Sequence, residues 1–457
     1  MTAHDAVTVG DSVTVGRPMA DGAIPATVGA DSVWCTDVEL SAPLPAVPVG
    51  LPEQHVRARV LARLHGEPLG YLTAPLTAGS LPPDLLDRLR AQFTDRCAEH
   101  LAGEGVVDQT LLGGEPLPGP TAACPNRVVP DRDVSVVVCT RDRGAALAGC
   151  LRRLRTLTYP RLEVIVVDNA PGEDSTAQSF QAEVGADPRF RYVVEPRPGL
   201  SWARNRGLAE ARGDMVAYTD DDVSVDSRWV DAIVRGFQQR PDVGCVTGMV
   251  ATASLAGVAE TYFEARLPNW STRCDRDLFD LALRPPASRD ALYPYSPGNF
   301  GTGANFAVRA DVMRALGGFD PALGAGTRTA GGEDLDAFVR VLQAGWALAY
   351  EPAALVWHYH RSSMPALRRQ MYSYGTGFSA FITKHLLDRR TRPEVLRRIP
   401  GGLLGMARIP GATGDQLPAG SPVPHNLLLW EFAGFFTGPV LLLQARRRAR
   451  SLAAVGP

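Results

Sequence analysis

Met215-Val216-Ala217-Tyr218-Thr219-Asp220-Asp221-Asp222-Val223 is the stretch from which the rest of the chain can be read. Its apolar start reads as a short buried strand, and three consecutive carboxylates close the strand at its C-terminal edge. Carboxylates crowded in this way repel one another, so positive charge is expected beside them. Hard oxygen ligands suit Mg²⁺ or Mn²⁺ that also holds a phosphate. For an isolated Asp triplet the plain alternative is a solvated acidic turn. An EF-hand is a poor match, because the loop lacks the Gly and the terminal Glu at the required offsets.

The surrounding sequence favours the metal reading. Upstream, Val134-Ser135-Val136-Val137-Val138-Cys139 runs into Thr140-Arg141-Asp142-Arg143, followed by a helical stretch from Ala145 to Thr156. Val164-Ile165-Val166-Val167 runs into Asp168-Asn169-Ala170-Pro171-Gly172. Short β-branched runs bounded by turn residues mark strands buried on both faces. Helical segments between them imply a parallel, doubly wound sheet. In such sheets ligands bind outside the carboxyl ends of the strands, so Thr140, Arg141, Asp168 and Asp220 to Asp222 should share one crevice. The segment from Gly199 to Gly207 reads as a loop entering a helix that carries Arg204 and Arg206 toward the same edge.

Six motifs occur in order: SVVVCTRDR, VIVVDNAP, GLSWARNRGLAEARGD leading to the triplet, GTGANFAVRADVMRALGGFDP, GGEDLD and VWHYHR. Together they resemble the family 2 glycosyltransferases, which have the GT-A fold, and the resemblance covers Val134 to about Arg361. It implies an inverting enzyme that moves a sugar from a nucleotide-sugar donor to a hydroxyl acceptor, with Mn²⁺ or Mg²⁺ as cofactor. It assigns the metal to the triplet, chiefly Asp222, with Asp220 and Asp221 shared between metal and ribose; three aspartates in a row permit two registers. Thr140, Arg141 and Asp168 correspond to the nucleotide-base pocket, where an Asp can accept the imide N–H of uracil, favouring UDP or dTDP. Arg204 matches an arginine that contacts base or phosphate.

Glu333 and Asp334 precede a clean amphipathic helix. A carboxylate at a helix N-terminus is normally a cap, but Gly331 and Gly332 leave room for an acceptor, and the resemblance makes Asp334 the general base. Glu333 then orients acceptor or loop, and Asn305, in Gly303-Ala304-Asn305, belongs to a loop beside the donor sugar or satisfies a turn. Alternation puts His358 and His360 on one face. His358 matches an additional metal ligand found in related families, and neutral imidazole suits Mn²⁺.

The expected fold class is α/β: a GT-A-like, mostly parallel sheet flanked by helices, with a small N-terminal α/β module and a helical C-terminal region. Residues 1–32, with the near-repeat DAVTVG/DSVTVG, read as disordered or loosely packed. Residues 33–115 read as the module, 116–130 as a Pro-rich linker, 131–361 as the catalytic domain and 362–457 as the helical region.

A net charge of -2 gives no basic footprint for nucleic acid. The seven cysteines form no CxxC pair and no metal-ligand spacing, and the N-terminus has no signal peptide. Both features point to a cytoplasmic protein with reduced thiols. Leu427 to Leu443 is apolar, at the lower length limit for a span, and contains Glu431, Gly434, Gly438 and Pro439. With Arg446-Arg447-Arg448-Ala449-Arg450 behind it, it reads as an interfacial helix at the inner face of the cell membrane or as a helix buried on the catalytic domain. The arginines from Arg368 to Arg398 either guide a lipid-phosphate acceptor or form a solvated face.

The acceptor class stays open among lipid-linked, cell-envelope polysaccharide and secondary-metabolite glycans. The competing readings are a non-catalytic GT-A domain binding nucleotide or carbohydrate, and a sugar nucleotidyltransferase. The latter is disfavoured because TRDRGA is a poor substitute for a Gly-rich phosphate loop. A dehydrogenase is disfavoured because no GxGxxG follows the first strand.

Overall fold

A computed structural model of the chain describes residues 32–45, 57–76, 80–106, 117–127, 131–282, 292–417 and 426–454. Residues 1–31, and with them the near-repeat, lie outside the described residues. Among the described residues thirteen strands occur: β1 (Val33–Glu39), β2 (Arg57–Leu64), β3 (Glu67–Pro75), β4 (Val134–Thr140), β5 (Leu162–Asn169), β6 (Phe190–Glu195), β7 (Met215–Asp220), β8 (Val223–Val225), β9 (Val243–Thr252), β10 (Ser254–Leu255), β11 (Asp277–Phe279), β12 (Asn305–Arg309) and β13 (Ala347–His358).

Nine strands form the main sheet in the order β11-β13-β9-β12-β7-β4-β5-β6, with β8 paired to β13. The α/β class expected from the sequence is observed. β7, β4, β5 and β6 are parallel neighbours, as their β-branched runs imply. Side chains alternate between two cores. Val134, Val136 and Val138 pack beneath helices Gly144–Arg155 and Trp229–Gln238. Val137, Ile165 and Val167 face helices Leu200–Glu210 and Glu333–Gln343.

The far half of the sheet is mixed, because β12 runs antiparallel between β7 and β9. That reversal brings the start of β12, with Asn305 opposite Thr219, to the carboxyl edge of β7. β13 is parallel to β9 and antiparallel to β8, with His358 opposite Val223. One edge of the sheet therefore collects the ends of β4, β5, β7 and β13 together with the entry to β12.

The N-terminal strands form a second sheet, ordered β10-β1-β2-β3. Its outer strand, β10, comes from the middle of the chain and pairs antiparallel with β1, so the module shares its sheet with the region that carries the main sheet. The Pro-rich segment read as a linker is also packed. Leu117 joins the module's core, and Cys124 and Asn126 are buried. Composition reports how a segment prefers to bend, while burial depends on the surface it meets.

C-terminal to the sheet lie helices Met364–Leu387, Arg392–Gln416 and Leu427–Ala454. The first and last touch through glycines: a Cβ on Gly375 would lie 2.0 Å from the Glu431 carbonyl oxygen, and one on Gly434 2.1 Å from that of Tyr372. These glycines let two backbones meet.

Candidate active site

The triplet splits by side. β7 ends at Asp220, and alternation sends Asp220 and Asp222 one way and Asp221 the other. Asp221 turns inward, where its carboxylate accepts from the Thr140 hydroxyl at 2.6 Å and from Arg143 at 2.5 Å. Burial, then repulsion from Asp222, pushes its carboxyl up to about 6. Asp220 and Asp222 converge with His358, their ligand atoms lying within 4.8 Å of one another.

The short β8–β13 pairing makes this possible, because it lays His358 alongside the residue that follows the triplet. His358 Nε2 lies 3.4 Å from Asp222 Oδ1, while its Nδ1 faces His360 Nδ1 at 3.2 Å. His360 turns away, toward the Thr252 hydroxyl at 3.0 Å and the Phe263 ring.

Charge compensation comes from arginines distant in sequence. Arg143 bridges Asp221 and Asp222, the latter at 2.9 Å, and Arg361 approaches Asp222 at 3.6 Å. Burial works against ionisation of Asp222, but His358 and then Arg143 hold its carboxyl well below the usual range. Burial raises the Asp220 carboxyl, opposed by Arg204 and reinforced by Asp222.

Arg204 is the buried hub beneath the crevice. It donates to Glu333 at 3.0 Å and to the Gly303 carbonyl at 2.9 Å, and lies 3.8 Å from Asp220. Burial, then Asp334, raises the Glu333 carboxyl against the pull of Arg204. Asp334 sits at the start of its helix behind Gly332, whose φ of 90° is left-handed and suits a residue without a Cβ. Asp334 Oδ2 accepts the Gly303 N–H and Oδ1 the Leu335 N–H, both at 2.8 Å. Backbone donors from two elements thus aim its carboxylate at the loop that opens β12.

Other expected residues fall elsewhere. Asn305 is fully buried: it accepts from the Trp229 indole and donates to the carbonyls of Met249 and Ala354. It bolts three elements together, the helix begun by Trp229, β9 and β13, rather than lining a sugar pocket, because its amide is fully engaged by them. Thr140 is occupied by Asp221 and buried. Arg141 is exposed beside Asp142, 3.6 Å away, whereas Asp168 is buried. Asp168 accepts from the Tyr192 hydroxyl at 2.6 Å, and its other oxygen makes no hydrogen bond among the described residues. Burial raises its pKa.

Arg143 and Arg361 went unassigned from sequence, although each ends one of the motifs. Their spacing from the triplet, 78 residues for Arg143 and Asp221, carries no signal until the sheet is formed.

Residues 135–317 match the family model described as glycosyl transferase family 2. This segment is a family 2 glycosyltransferase domain. The chain is 29% identical over 354 residues to a pre-mycofactocin glycosyltransferase of Mycobacterium tuberculosis, covering 76% of this chain and 65% of that protein. It is thus similar to that relative over just under two thirds of the relative's length. It is 27% identical to a glucosyl-dolichyl phosphate glucuronosyltransferase of Haloferax volcanii, over 49% of this chain and 68% of that one. Among solved structures, a mannosyltransferase of Pyrobaculum calidifontis in complex with GDP-Man and Mn²⁺ aligns over 79% of this chain and 98% of its own. That alignment has 18% identity and a TM-score of 0.44.

Proposed function

We propose that the chain is a metal-dependent, inverting glycosyltransferase that takes a sugar from a UDP- or dTDP-linked donor and places it on a hydroxyl acceptor. The observation that carries this reading is the meeting of Asp220, Asp222 and His358 with Asp334 across the Arg204–Gly303 floor.

The residues fit a divalent cation. Among the described residues, Asp220, Asp222 and His358 offer two carboxylates and one imidazole whose ligand atoms lie within 4.8 Å of one another, a donor set that suits Mn²⁺ or Mg²⁺. When bound, the cation would neutralise the diphosphate leaving group.

The chain's own groups do the rest. Asp168, at the carboxyl end of β5, is the group we assign to accept an imide N–H of uracil or thymine. Arg143 and Arg361, already drawn to Asp222, are placed to receive phosphate oxygens. Asp334 takes the acceptor proton as the hydroxyl oxygen bonds to the anomeric carbon and the bond from that carbon to phosphate breaks. The nucleoside diphosphate leaves, and configuration inverts because base and leaving group lie on opposite sides of the sugar. Glu333, tied to Arg204, keeps the floor in place. One relative is named a glucosyl-dolichyl phosphate glucuronosyltransferase, and a lipid-linked acceptor is the class we favour.

Donor turnover decides the matter. The full chain should release UDP or dTDP from cognate donors with Mn²⁺ and fall to background in EDTA. Turnover unaffected by EDTA would exclude the metal-dependent reading. Binding of donor without any release, across acceptors, would leave a nucleotide-binding domain instead.

A further inference from the structure

Far from the crevice, four side chains converge in the N-terminal module, of which only His100 and Glu104, four residues apart at a helix end, are neighbours in sequence. His65, His100, Glu104 and Cys124 each offer one ligand atom, and these atoms lie within 4.8 Å of one another, all four residues being buried. His65 Nδ1 faces His100 Nε2 at 3.2 Å and also touches Glu104 Oε1. His100 Nε2 lies 3.0 Å from the same oxygen. Cys124 Sγ completes the group, 3.9 Å from His65 Nδ1 and 3.8 Å from His100 Nε2.

We propose that His65, His100, Glu104 and Cys124 form a closed structural zinc site. Ligands at about 2.0–2.3 Å from a tetrahedral centre lie roughly 3.3–3.8 Å apart, with sulfur on the longer edges. The separations to sulfur, 3.9 and 3.8 Å, lie at the long end of that range, while those among His65, His100 and Glu104 are shorter and would open around an ion. Two imidazoles, a carboxylate and a thiolate are zinc's preferred ligand types. With four protein ligands there is no open position for substrate, so the site is structural.

The surroundings orient these atoms as metal ligands are oriented. His65 Nε2 donates to the Pro118 carbonyl at 2.8 Å. The neutral ring therefore carries its lone pair on Nδ1, aimed at the cluster. The Thr121 N–H donates to Glu104 Oε2 at 2.7 Å, leaving Oε1 turned inward. Glu39 fixes the turn that presents His65, accepting the N–H groups of His65 and Gly66 at 2.9 and 3.0 Å. Without a cation, neutral His65 would set its lone pair against a carboxylate oxygen. One proton could bridge that pair and the Cys124 thiol can donate to Glu104, but a metal satisfies all four groups together.

The site would tie three separate pieces into one body: the β2–β3 turn, the end of helix Thr94–Gly103, and the 117–127 segment. A small α/β module with a modest core gains from such a staple. The tie also reaches the catalytic domain. Asn126 donates to the His65 carbonyl at 3.1 Å, and its own oxygens receive Arg235, Arg276 at 3.1 Å and Arg228 at 3.4 Å.

The test uses the full chain purified from zinc-supplemented cells, with metal counted by elemental mass spectrometry after dialysis. About one zinc per chain is expected, retained in Asp222→Asn and lost in Cys124→Ser and His100→Gln, with a fall of several degrees in Tm. Replacing zinc with Co²⁺ should give tetrahedral visible bands and a near-ultraviolet thiolate-to-cobalt band in the wild-type chain. If the cysteine variant fails to fold, that cobalt band decides by itself. A wild-type chain that takes up neither zinc nor cobalt here would overturn the proposal in favour of a proton-shared His–Glu network. So would Cys124→Ser that keeps its metal, or cobalt without a thiolate band.

Discussion

Two neighbouring aspartates carry the sharpest tests, since they differ only in which way the strand turns them. Asp222 shares a cluster with Asp220 and His358, whereas Asp221 is held inside by Thr140 and Arg143. Asp222→Asn should abolish the Mn²⁺-dependent part of donor affinity in calorimetry with and without EDTA. Asp221→Asn should leave that difference in place and lower Tm instead, because it weakens a buried, charge-assisted pair. Equal loss of metal dependence in both would mean that the triplet works as one undivided acidic patch. At Asp334 the question is chemical. Asn preserves shape and one acceptor oxygen but cannot take a proton, so transfer should drop by roughly 10²–10⁴-fold with donor affinity nearly unchanged. Transfer within a few-fold of wild type would reduce Asp334 to a helix cap.

The C-terminal helices hold the elements whose surroundings sequence could not supply. Helix Leu427–Ala454 is long and apolar enough to cross a membrane by length and composition, yet its glycine face is spent on helix Met364–Leu387. Glu431 is paired with Arg266 at 2.8 Å, which removes the objection of a bare charge. What remains outward is a stripe, Leu429, Phe432, Phe436, Val440 and Leu443, with Phe436 77% and Leu429 68% exposed. Its spacing of three and four residues puts it on one side of the helix, and Arg447, Arg448 and Arg450 follow, exposed. This pattern fits a helix lying on an anionic membrane surface. The full chain should sediment with phosphatidylglycerol vesicles at low salt, less so at high salt, and truncation after Pro424 should abolish it. Equal pelleting with and without the segment would defeat the membrane role.

The chain's one lysine locks a neighbouring pair of helices. Lys384 donates to Asp336 at 2.9 Å, and Arg340 does so at 2.7 Å. Burial opposes ionisation of Asp336, but Lys384 and Arg340 hold its carboxyl far below the ordinary value. A depressed carboxyl contributes stability above its unfolded pKa of about 3.9, and that contribution is lost as pH falls below it. Lys384→Met should cost about 3 kcal/mol at pH 7. It should also flatten the loss of Tm as pH falls below about 4. An unchanged acid slope would place the stabilisation elsewhere.

Across the whole molecule, the N-terminal module buttresses the active-site edge from behind. Cys35 and Leu61 of the module pack with Met249, Leu355 and Trp357 of the catalytic sheet, and Trp357 directly precedes His358. Arg63 ties the two parts electrostatically, donating to Asp37 at 2.9 Å and to Asp226, just beyond β8, at 2.7 Å. Arg63→Met leaves two buried carboxylates without their cation, so a loss of about 3–5 kcal/mol is expected. Chemical denaturation would measure it. A variant as stable as wild type would mean that water reaches these carboxylates.

The sequence by itself determined what is local or repetitive: buried strands from β-branched runs, helices from spacing, and a carboxylate-rich edge from residues that end those runs. Thr140, Asp168 and Asp220 could be placed at strand ends because a strand end is a property of the nearest few residues. Three-dimensional packing decided which side chains meet. The reversal of β12 buried Asn305, the β8–β13 register brought His358 to Asp222, and pairing of β10 with β1 joined the module to the sheet. Packing also gathered His65, His100, Glu104 and Cys124 from a turn, a helix and a segment that reads as a linker. Such contacts form between residues far apart in the chain, and their energies depend on burial and register, which no local pattern of residue types encodes.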